Sequence, residues 1–182
     1  IDREGLKVLF GEEAKLAEQL VGPNVNGFNP NIEPFSYDPE KAKQLIEEAR
    51  AAGVPVDKPI TIIGRNEIYV NAGEALEAMQ AMWTEIGLKT DIRMFDTGNW
   101  LRYQNRPFPE PDMPNLHQDQ HDNLLGDATF TAFNKYHSEG VNSAVYDKRV
   151  DELIDKAEPA TGETRTNAFQ DAFALLHDDV VD

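Results

Sequence analysis

Two histidines four residues apart are the side chains of this sequence whose type and spacing could do chemistry. His117 and His121 are interleaved with Asp119 and Asp122. On a helix, that spacing would place both imidazoles on one face, as metal sites do, and imidazole binds both zinc and nickel. The stretch is polar and is predicted to be a loop, so ordinary surface histidines are the alternative. We therefore expect no resident metal and no cofactor, with His117 and His121 as the candidates if a metal binds.

Other catalytic constellations are missing from the sequence. It contains no Gly-x-Ser-x-Gly elbow, no phosphate-binding loop and no His-Glu-x-x-His motif. Carboxylate pairs are numerous, but among 33 acidic residues such pairs arise by chance. We therefore expect a protein that is not an enzyme. Two alternatives stay open: a metal-dependent hydrolase that uses His117 and His121, and an acidic interaction domain without a small-molecule site.

A strand, a helix and a second strand follow one another in the middle of the chain. Residues 59–63 are apolar and β-branched, as in a buried strand, and residues 88–95 alternate apolar with polar positions. Between them, an apolar stripe at helical spacing follows Asn71, which we expect to cap the helix. This order is a βαβ unit. The predicted fold class is therefore α/β, with a small mixed sheet that contains a parallel pair and is flanked by helices.

Capping residues predict helices on both sides of this unit. Asp38 can cap a helix and Pro39 fits its first turn, where a missing N–H costs nothing. The apolar stripe of that helix, which includes Leu45, should face a core. Further helices are predicted after three capping residues: Asp127, Asp147 and Thr161.

The region between the βαβ unit and the later helices contains an aromatic candidate. Asp96 should cap a short helix that carries Trp100. The indole either stacks on a ligand or anchors that helix to the sheet, and aromatic residues pack more often than they contact ligands. A strand is expected near residues 112–118, at an edge of the sheet, because Pro114 cannot donate to a central ladder.

The amino-acid composition limits the classes of partner that the chain is expected to bind. The chain has 182 residues, with 33 acidic and 17 basic side chains, which gives a formal charge of −16. Nucleic acids and anionic membranes require a basic footprint, so neither is expected to bind. No window has the apolar length of a membrane span, so direct membrane insertion is not expected. The sequence has no cysteine, which excludes disulfides and thiolate catalysis.

Five stretches, in order, carry a resemblance that covers nearly the whole chain. Residues 1–12 begin Ile-Asp-Arg, and residues 21–30 form a Pro/Gly-rich loop. Residues 37–45 read Tyr-Asp-Pro-Glu-Lys-Ala-Lys-Gln-Leu, residues 78–88 end in Ile-Gly-Leu, and residues 142–176 supply the terminal helices. This order resembles the family 5 extracellular solute-binding proteins, which serve peptide, nickel and related ABC importers.

The resemblance implies a function as well as a fold. Residues 1–182 should form a single periplasmic-binding-protein-like lobe of type II, a fragment of a longer two-lobed protein. A peptide, or a similar small cationic or zwitterionic solute, should be held between this lobe and a missing lobe. The expected partner is the membrane permease of an ABC importer. The expected location is periplasmic or extracellular, with a lipoprotein anchor as one possibility. Binding of a nickel chelate is the alternative within the family.

The resemblance also implies where the solute binds. Residues 116–128 match a family segment at a strand end that faces the cleft, but His117 or Gln118 occupies its tryptophan position. In peptide-binding members, an aspartate here pairs with the amino group of the ligand, which is sound because a partly desolvated carboxylate holds a cation strongly. Asp122 is the candidate, with Asn123 and Asp127 beside it. The predicted ligand-binding residues are Asp122, Asn123, Asp127, His117, Gln118 and Trp100.

Two departures and two alternatives accompany that assignment. Leu124 and Leu125 are inserted relative to the family pattern, and Ala128 replaces its proline. The alternative for Asp127 is that it caps the next helix, since aspartate is a favoured capping residue. The alternative for Asp122 is an ordinary solvated side chain.

Overall fold

A computed structural model describes residues 1–123 and 125–179. They form two compact units: unit 1 contains Ile1–Leu16 and Phe35–Gln120, and unit 2 contains Ala17–Pro34 and His121–Asp182. Leu124, half of the predicted insertion, lies outside the described residues. That residues 1–182 form a single lobe stays a prediction.

Unit 1 contains the predicted βαβ arrangement. Strand β1 (Ile60–Arg65) is followed by helix α3 (Ala72–Glu85) and strand β2 (Thr90–Phe95). The two strands pair in parallel, with Ile62 opposite Ile92. Ile62 and Ile63 are almost fully buried, as the apolar β-branched run predicts. The βαβ prediction is confirmed.

The third strand, β3 (Asn115–His117), lies on the other side of β1. It also runs parallel to β1, with Ile62 opposite Leu116, and the backbone N–H of Thr61 donates to the Pro114 carbonyl at 2.9 Å. Its edge position agrees with the expectation from Pro114, which accepts but cannot donate. The sheet order is therefore β2-β1-β3, and all three described strands are parallel where a mixed sheet was expected.

The remaining helices of unit 1 are α1 (Arg3–Lys7), which continues as a 3-10 turn at Val8–Phe10, α2 (Pro39–Ala51) and α4 (Thr97–Gln104). The Asp38 and Asp96 carboxylates cap α2 and α4, accepting from backbone N–H groups at 2.8 and 3.0 Å. The burial expected of Leu45 in α2 was wrong: it is half exposed, and no residue of the helix is fully buried, although the rest of its apolar stripe is partly buried.

The cap predicted for α3 was also wrong. Asn71 adopts a left-handed backbone, with φ of 60°, and its side chain caps nothing. Its amide Nδ2 instead donates to the Leu9 carbonyl at 2.6 Å, which joins the turn after α1 to the loop after β1. Asparagine tolerates this conformation better than most residues.

Unit 2 is helical. It contains α5 (Thr129–Tyr136), α6 (Lys148–Ala157) and α7 (Gly162–Asp178). The predicted inner stripe of α7 is buried, from Ala168 to Leu176, and packs with Val150 and Ile154 of α6. Val21, from the segment between residues 17 and 34, completes this core. None of the helices in the described ranges has the length and apolar character needed to cross a bilayer.

Candidate functional site

The carboxyl end of β1 in unit 1 is held together by Gln118. Its side chain is buried, its Oε1 accepts from the Arg65 backbone N–H at 3.3 Å, and its Nε2 donates to the Tyr69 hydroxyl at 2.9 Å and the Ala72 carbonyl at 3.0 Å. The amide therefore joins the end of the strand, the following loop and the start of α3. Gln118 was predicted to bind ligand, but these bonds make it a structural link.

Trp100 packs against the same strand end. It is 3% exposed, and its indole Nε1 donates to the Gln118 carbonyl at 3.0 Å. The His117 ring lies 4.8 Å from the indole between centroids. Such a buried ring has almost no surface to offer a ligand. The predicted ligand contact is therefore corrected to the anchoring role that was its alternative.

Arg65 is a candidate that the sequence analysis missed. It is the last residue of the central strand, and its guanidinium carbon lies 4.7 Å from the centre of the Trp100 ring. In the ranges that the structure describes, no acidic side chain forms a salt bridge with it. Ligands of open parallel sheets bind outside the carboxyl ends of the strands. The available signal in the sequence was a cation directly after the predicted buried strand.

A shallow apolar cavity of about 430 Å³ adjoins the loop after β1. Leu9, Phe10, Tyr69 and Val70 line it, and the rings of Phe10 and Tyr69 meet edge to face at 5.7 Å. Burial raises the pKa of the Tyr69 hydroxyl, which the hydrogen bond from Gln118 partly opposes. The phenol is therefore neutral at physiological pH and is fixed in orientation.

The histidine pair has no helix to align it. His117 ends strand β3 in unit 1, whereas His121 lies in the loop that opens the second segment of unit 2. The Asp119 carboxylate between them accepts from Gln104 Nε2 at 3.0 Å. Across residues 1–123 and 125–179, no three His, Cys, Asp or Glu side chains are grouped closely enough to hold a metal ion. The metal alternative therefore has no support in the geometry.

A relay of hydrogen bonds fixes the beginning of the 121–127 loop. The Asn123 amide Nδ2 donates to the Leu20 carbonyl at 2.9 Å, which turns its Oδ1 toward Thr131. The Thr131 hydroxyl donates to that oxygen at 2.7 Å, so it must accept from His121 Nε2, also 2.7 Å away. His121 therefore carries a proton on Nε2. The side chains of Asn123 and His121 are therefore engaged in hydrogen bonds within the protein.

Both carboxylate oxygens of Asp127 also accept hydrogen bonds within the protein. Its Oδ2 accepts from Arg165 Nε at 2.9 Å and from Asn26 Nδ2 at 2.8 Å, and its Oδ1 accepts from Arg165 Nη2 at 2.7 Å. The Thr129 backbone N–H, at 3.0 Å, and the Thr129 hydroxyl donate to Oδ1 as well. The Arg165 guanidinium above all holds the pKa of the Asp127 carboxyl well below its usual range.

These contacts change the role assigned to Asp127. A carboxylate with both oxygens saturated has nothing left for a ligand. Its predicted ligand role is therefore replaced by a structural one close to the capping alternative, because Thr129 is the first residue of α5.

Asp122 is the predicted site residue that the fold leaves available. Its side chain is exposed, and no described residue donates a hydrogen bond to its carboxylate. It lies between His121 and Asn123, which are both fixed by the relay through Thr131. The loop therefore presents one open carboxylate on a backbone held by its neighbours.

Comparison with known proteins gives one family. The family described as bacterial extracellular solute-binding proteins, family 5 Middle, matches residues 1–113, more than half of the chain. The dipeptide-binding protein of Escherichia coli (strain K12) is 28% identical over 105 residues, which cover 53% of this chain and 18% of that protein. The chain therefore spans about a fifth of the length of this curated relative.

Solved structures agree on the fold. The ABC transporter substrate binding protein CtaP from Listeria monocytogenes superposes with a TM-score of 0.77 and 22% identity, over 100% of this chain and 37% of its own. The oligopeptide-binding protein AppA from Bacillus subtilis, in complex with a nonapeptide, superposes with a TM-score of 0.70 and 16% identity. The match covers 98% of this chain and 38% of AppA. The prediction of a periplasmic-binding-protein-like α/β fold is confirmed.

Proposed function

We propose, since this chain belongs to the bacterial extracellular solute-binding proteins of family 5, that it supplies one lobe of a protein that captures peptides for an ABC importer. The names of the relatives support peptides as the ligand class: one is a dipeptide-binding protein, and AppA holds a nonapeptide. The role is binding and not catalysis. Selectivity would come from closure of two lobes around the solute, with the closed state favoured by the correct ligand.

One observation carries the proposal in this chain: the open carboxylate of Asp122. A peptide at neutral pH has an ammonium group at its amino terminus, and a carboxylate holds such a cation by a short, charge-assisted hydrogen bond. The other polar residues of the loop, His121, Asn123 and Asp127, already bond within the fold. Asp122 is therefore assigned to the ligand's ammonium group. The formal charge of −16 also favours cationic over anionic solutes.

Unit 1 has two candidates of its own for contact with a ligand. Arg65 ends the central strand with its guanidinium over the Trp100 indole, and Leu9, Phe10, Tyr69 and Val70 line an apolar cavity.

The cellular setting follows from the family. The protein would act outside the cytoplasmic membrane, in the periplasm or at the cell surface, with a lipid anchor as one way to stay there. Its protein partner would be the importer's membrane permease. These proposals concern the whole protein. The chain matches only part of the length of the relatives compared.

The test is an aspartate-to-asparagine substitution in the protein at its natural full length. Asp122→Asn keeps the shape of the side chain and removes its charge. We expect the affinity for the dipeptide Ala-Ala, measured by titration calorimetry, to fall about tenfold or more, because hydrogen bonds to charged groups contribute roughly 1.5–3 kcal/mol. Asp171→Asn, at an exposed position of α7, is the matched control and should leave affinity unchanged. Equal affinities of the wild type and Asp122→Asn would refute the assignment.

A further inference from the structure

We infer that the ion pair between Asp127 and Arg165 is a positioning device for ligand binding, which holds the 121–127 loop so that Asp122 is presented to the solute. The inference rests on the proposed function, and it gives a task to two residues that the ligand does not touch. The structure carries it in three steps.

The first step is that Arg165 is itself immobilised. Its Nη1 donates to the carbonyls of Ala157 and Glu158, at 2.7 and 2.8 Å, where α6 ends. Its guanidinium carbon lies 5.1 Å from the centre of the Phe169 ring, which is fully buried. Its Nε and Nη2 form a two-pronged contact with Asp127, and Nη2 also donates to the Thr129 hydroxyl. Arg165 is therefore held by the helical core, and its contact with Asp127 fixes that residue against the same core.

The second step is that Asp127 is linked to Asn26, whose backbone pairs with the residues on either side of Asp127. Asn26 donates to Asp127 through Nδ2 at 2.8 Å, and its Oδ1 accepts from the Thr166 hydroxyl at 2.5 Å. The main chain of Asn26 pairs with both neighbours of Asp127: its N–H donates to the Gly126 carbonyl, and its carbonyl accepts from the Ala128 N–H, each at 2.9 Å. The end of the loop is thus bound to the 17–34 segment.

The third step is that the opposite end of the loop is held separately. The relay from Leu20 through Asn123 and Thr131 to His121 fixes the residues on either side of Asp122. With both ends held, the exposed carboxylate needs little reordering when a ligand arrives. Ordering a loop at the moment of binding would reduce affinity, so fixing it beforehand raises affinity.

The burial of the pair supports a positioning role. The Asp127 and Arg165 side chains are 25% and 18% exposed. The arginines make the difference: Arg149, which pairs with Asp147, is 61% exposed, and an exposed side chain is held poorly because solvent competes for its partner. A two-pronged arginine contact adds fixed geometry, which lysine cannot reproduce.

The experiment is a double-mutant cycle in the protein at its natural full length, with Ala-Ala as the probe. Asp127→Asn should lower affinity about fivefold or more in the wild-type background and less than about twofold in the Asp122→Asn background, because the loop then has no carboxylate to present. A merely structural role would reduce affinity equally in both backgrounds, and that result would overturn the inference. Asp147→Asn, which alters the exposed pair, is the control and should change neither value.

A second readout separates this inference from the proposed function. Hydrogen exchange at the Asn26 and Ala128 amides should quicken in Asp127→Asn and in Arg165→Lys, while exchange at Ala172, in the core of α7, stays slow. Unchanged exchange at Asn26 and Ala128 would overturn the inference even if Ala-Ala binds. If the wild type binds neither Ala-Ala nor longer peptides, the proposed function fails, and the exchange rates still decide whether the pair positions the loop.

Discussion

Asp122 and Asp127 are acidic residues of one loop, and their surroundings give them different tasks. Asp127 meets Asn26 and Arg165, which lie 101 and 38 residues away in sequence. Asp122 is exposed to solvent. The resemblance to the family proposes both as ligand partners, because a match of sequence segments does not show what surrounds each side chain. The partners that separate them come together only through the packing of the 17–34 segment with α7.

The Asp127 contact predicts a pH-dependent stability. Asp127→Asn should lower the free energy of unfolding at pH 7 by about 2 kcal/mol, because it removes a hydrogen-bonded charge from a partly buried arginine. The folded-state pKa of Asp127 lies below its unfolded value of about 3.9, so this stabilisation is complete above that pH and is lost as the pH falls below it.

Urea unfolding of wild type and variant at pH 7, 5 and 3 measures this directly. The difference between the two proteins should be constant from pH 7 to 5 and smaller at pH 3. A difference that stays the same at pH 3 would contradict the ionic origin of the stabilisation.

At the scale of elements, the spacing of apolar residues predicted correctly those helices and strands whose apolar faces pack against a core. The βαβ unit and the buried stripe of α7 were predicted correctly, because alternation and helical spacing reflect which faces must leave water. Periodicity failed for Leu45 of α2, which is half exposed although the rest of its apolar stripe is partly buried. It also failed at Asn71, where a contact with the distant Leu9 carbonyl replaces the expected cap. At Asn71 the deciding neighbour lies 62 residues away in sequence, outside any local window.

The site was less predictable than the fold for the same reason. Trp100 was chosen by its position just after a strand end and Gln118 through the resemblance to the family, and both lie at the carboxyl end of β1. Their burial could not be read from the sequence, because it depends on β1, α3 and α4 meeting there. Arg65 was missed because no sequence motif distinguishes a cation that ends the central strand from any other surface arginine.

Gly27 predicts a packing effect between the 17–34 segment and the helices of unit 2. It has φ of +101°, and a Cβ there would lie 2.8 Å from the Cβ atoms of Ala128 and Phe169. Gly27→Ala should therefore lower the free energy of unfolding by about 2 kcal/mol or more. Gly162→Ala, also at positive φ but with nothing within 4 Å of the added carbon, should cost about 1 kcal/mol. Equal losses in thermal or urea unfolding would contradict the packing argument.

At the scale of the whole molecule, the chain is acidic and the ligand proposed for it carries a positive end. A formal charge of −16 attracts cations generally, but a dispersed field cannot by itself select a peptide. In the proposed function, selection requires a fixed carboxylate, the role proposed for Asp122, and a surface that closes over the solute. The relatives that the chain matches are several times longer than the chain.

The most direct test compares two ligands that differ only in the group assigned to Asp122. Titration calorimetry of the full-length protein with Ala-Ala and with N-acetyl-Ala-Ala isolates the ammonium group, because acetylation removes its charge and leaves the rest of the peptide unchanged. We expect the free dipeptide to bind about tenfold or more tightly than the acetylated one, and Asp122→Asn to erase most of that preference. Equal binding of the two ligands by the wild type would contradict the account.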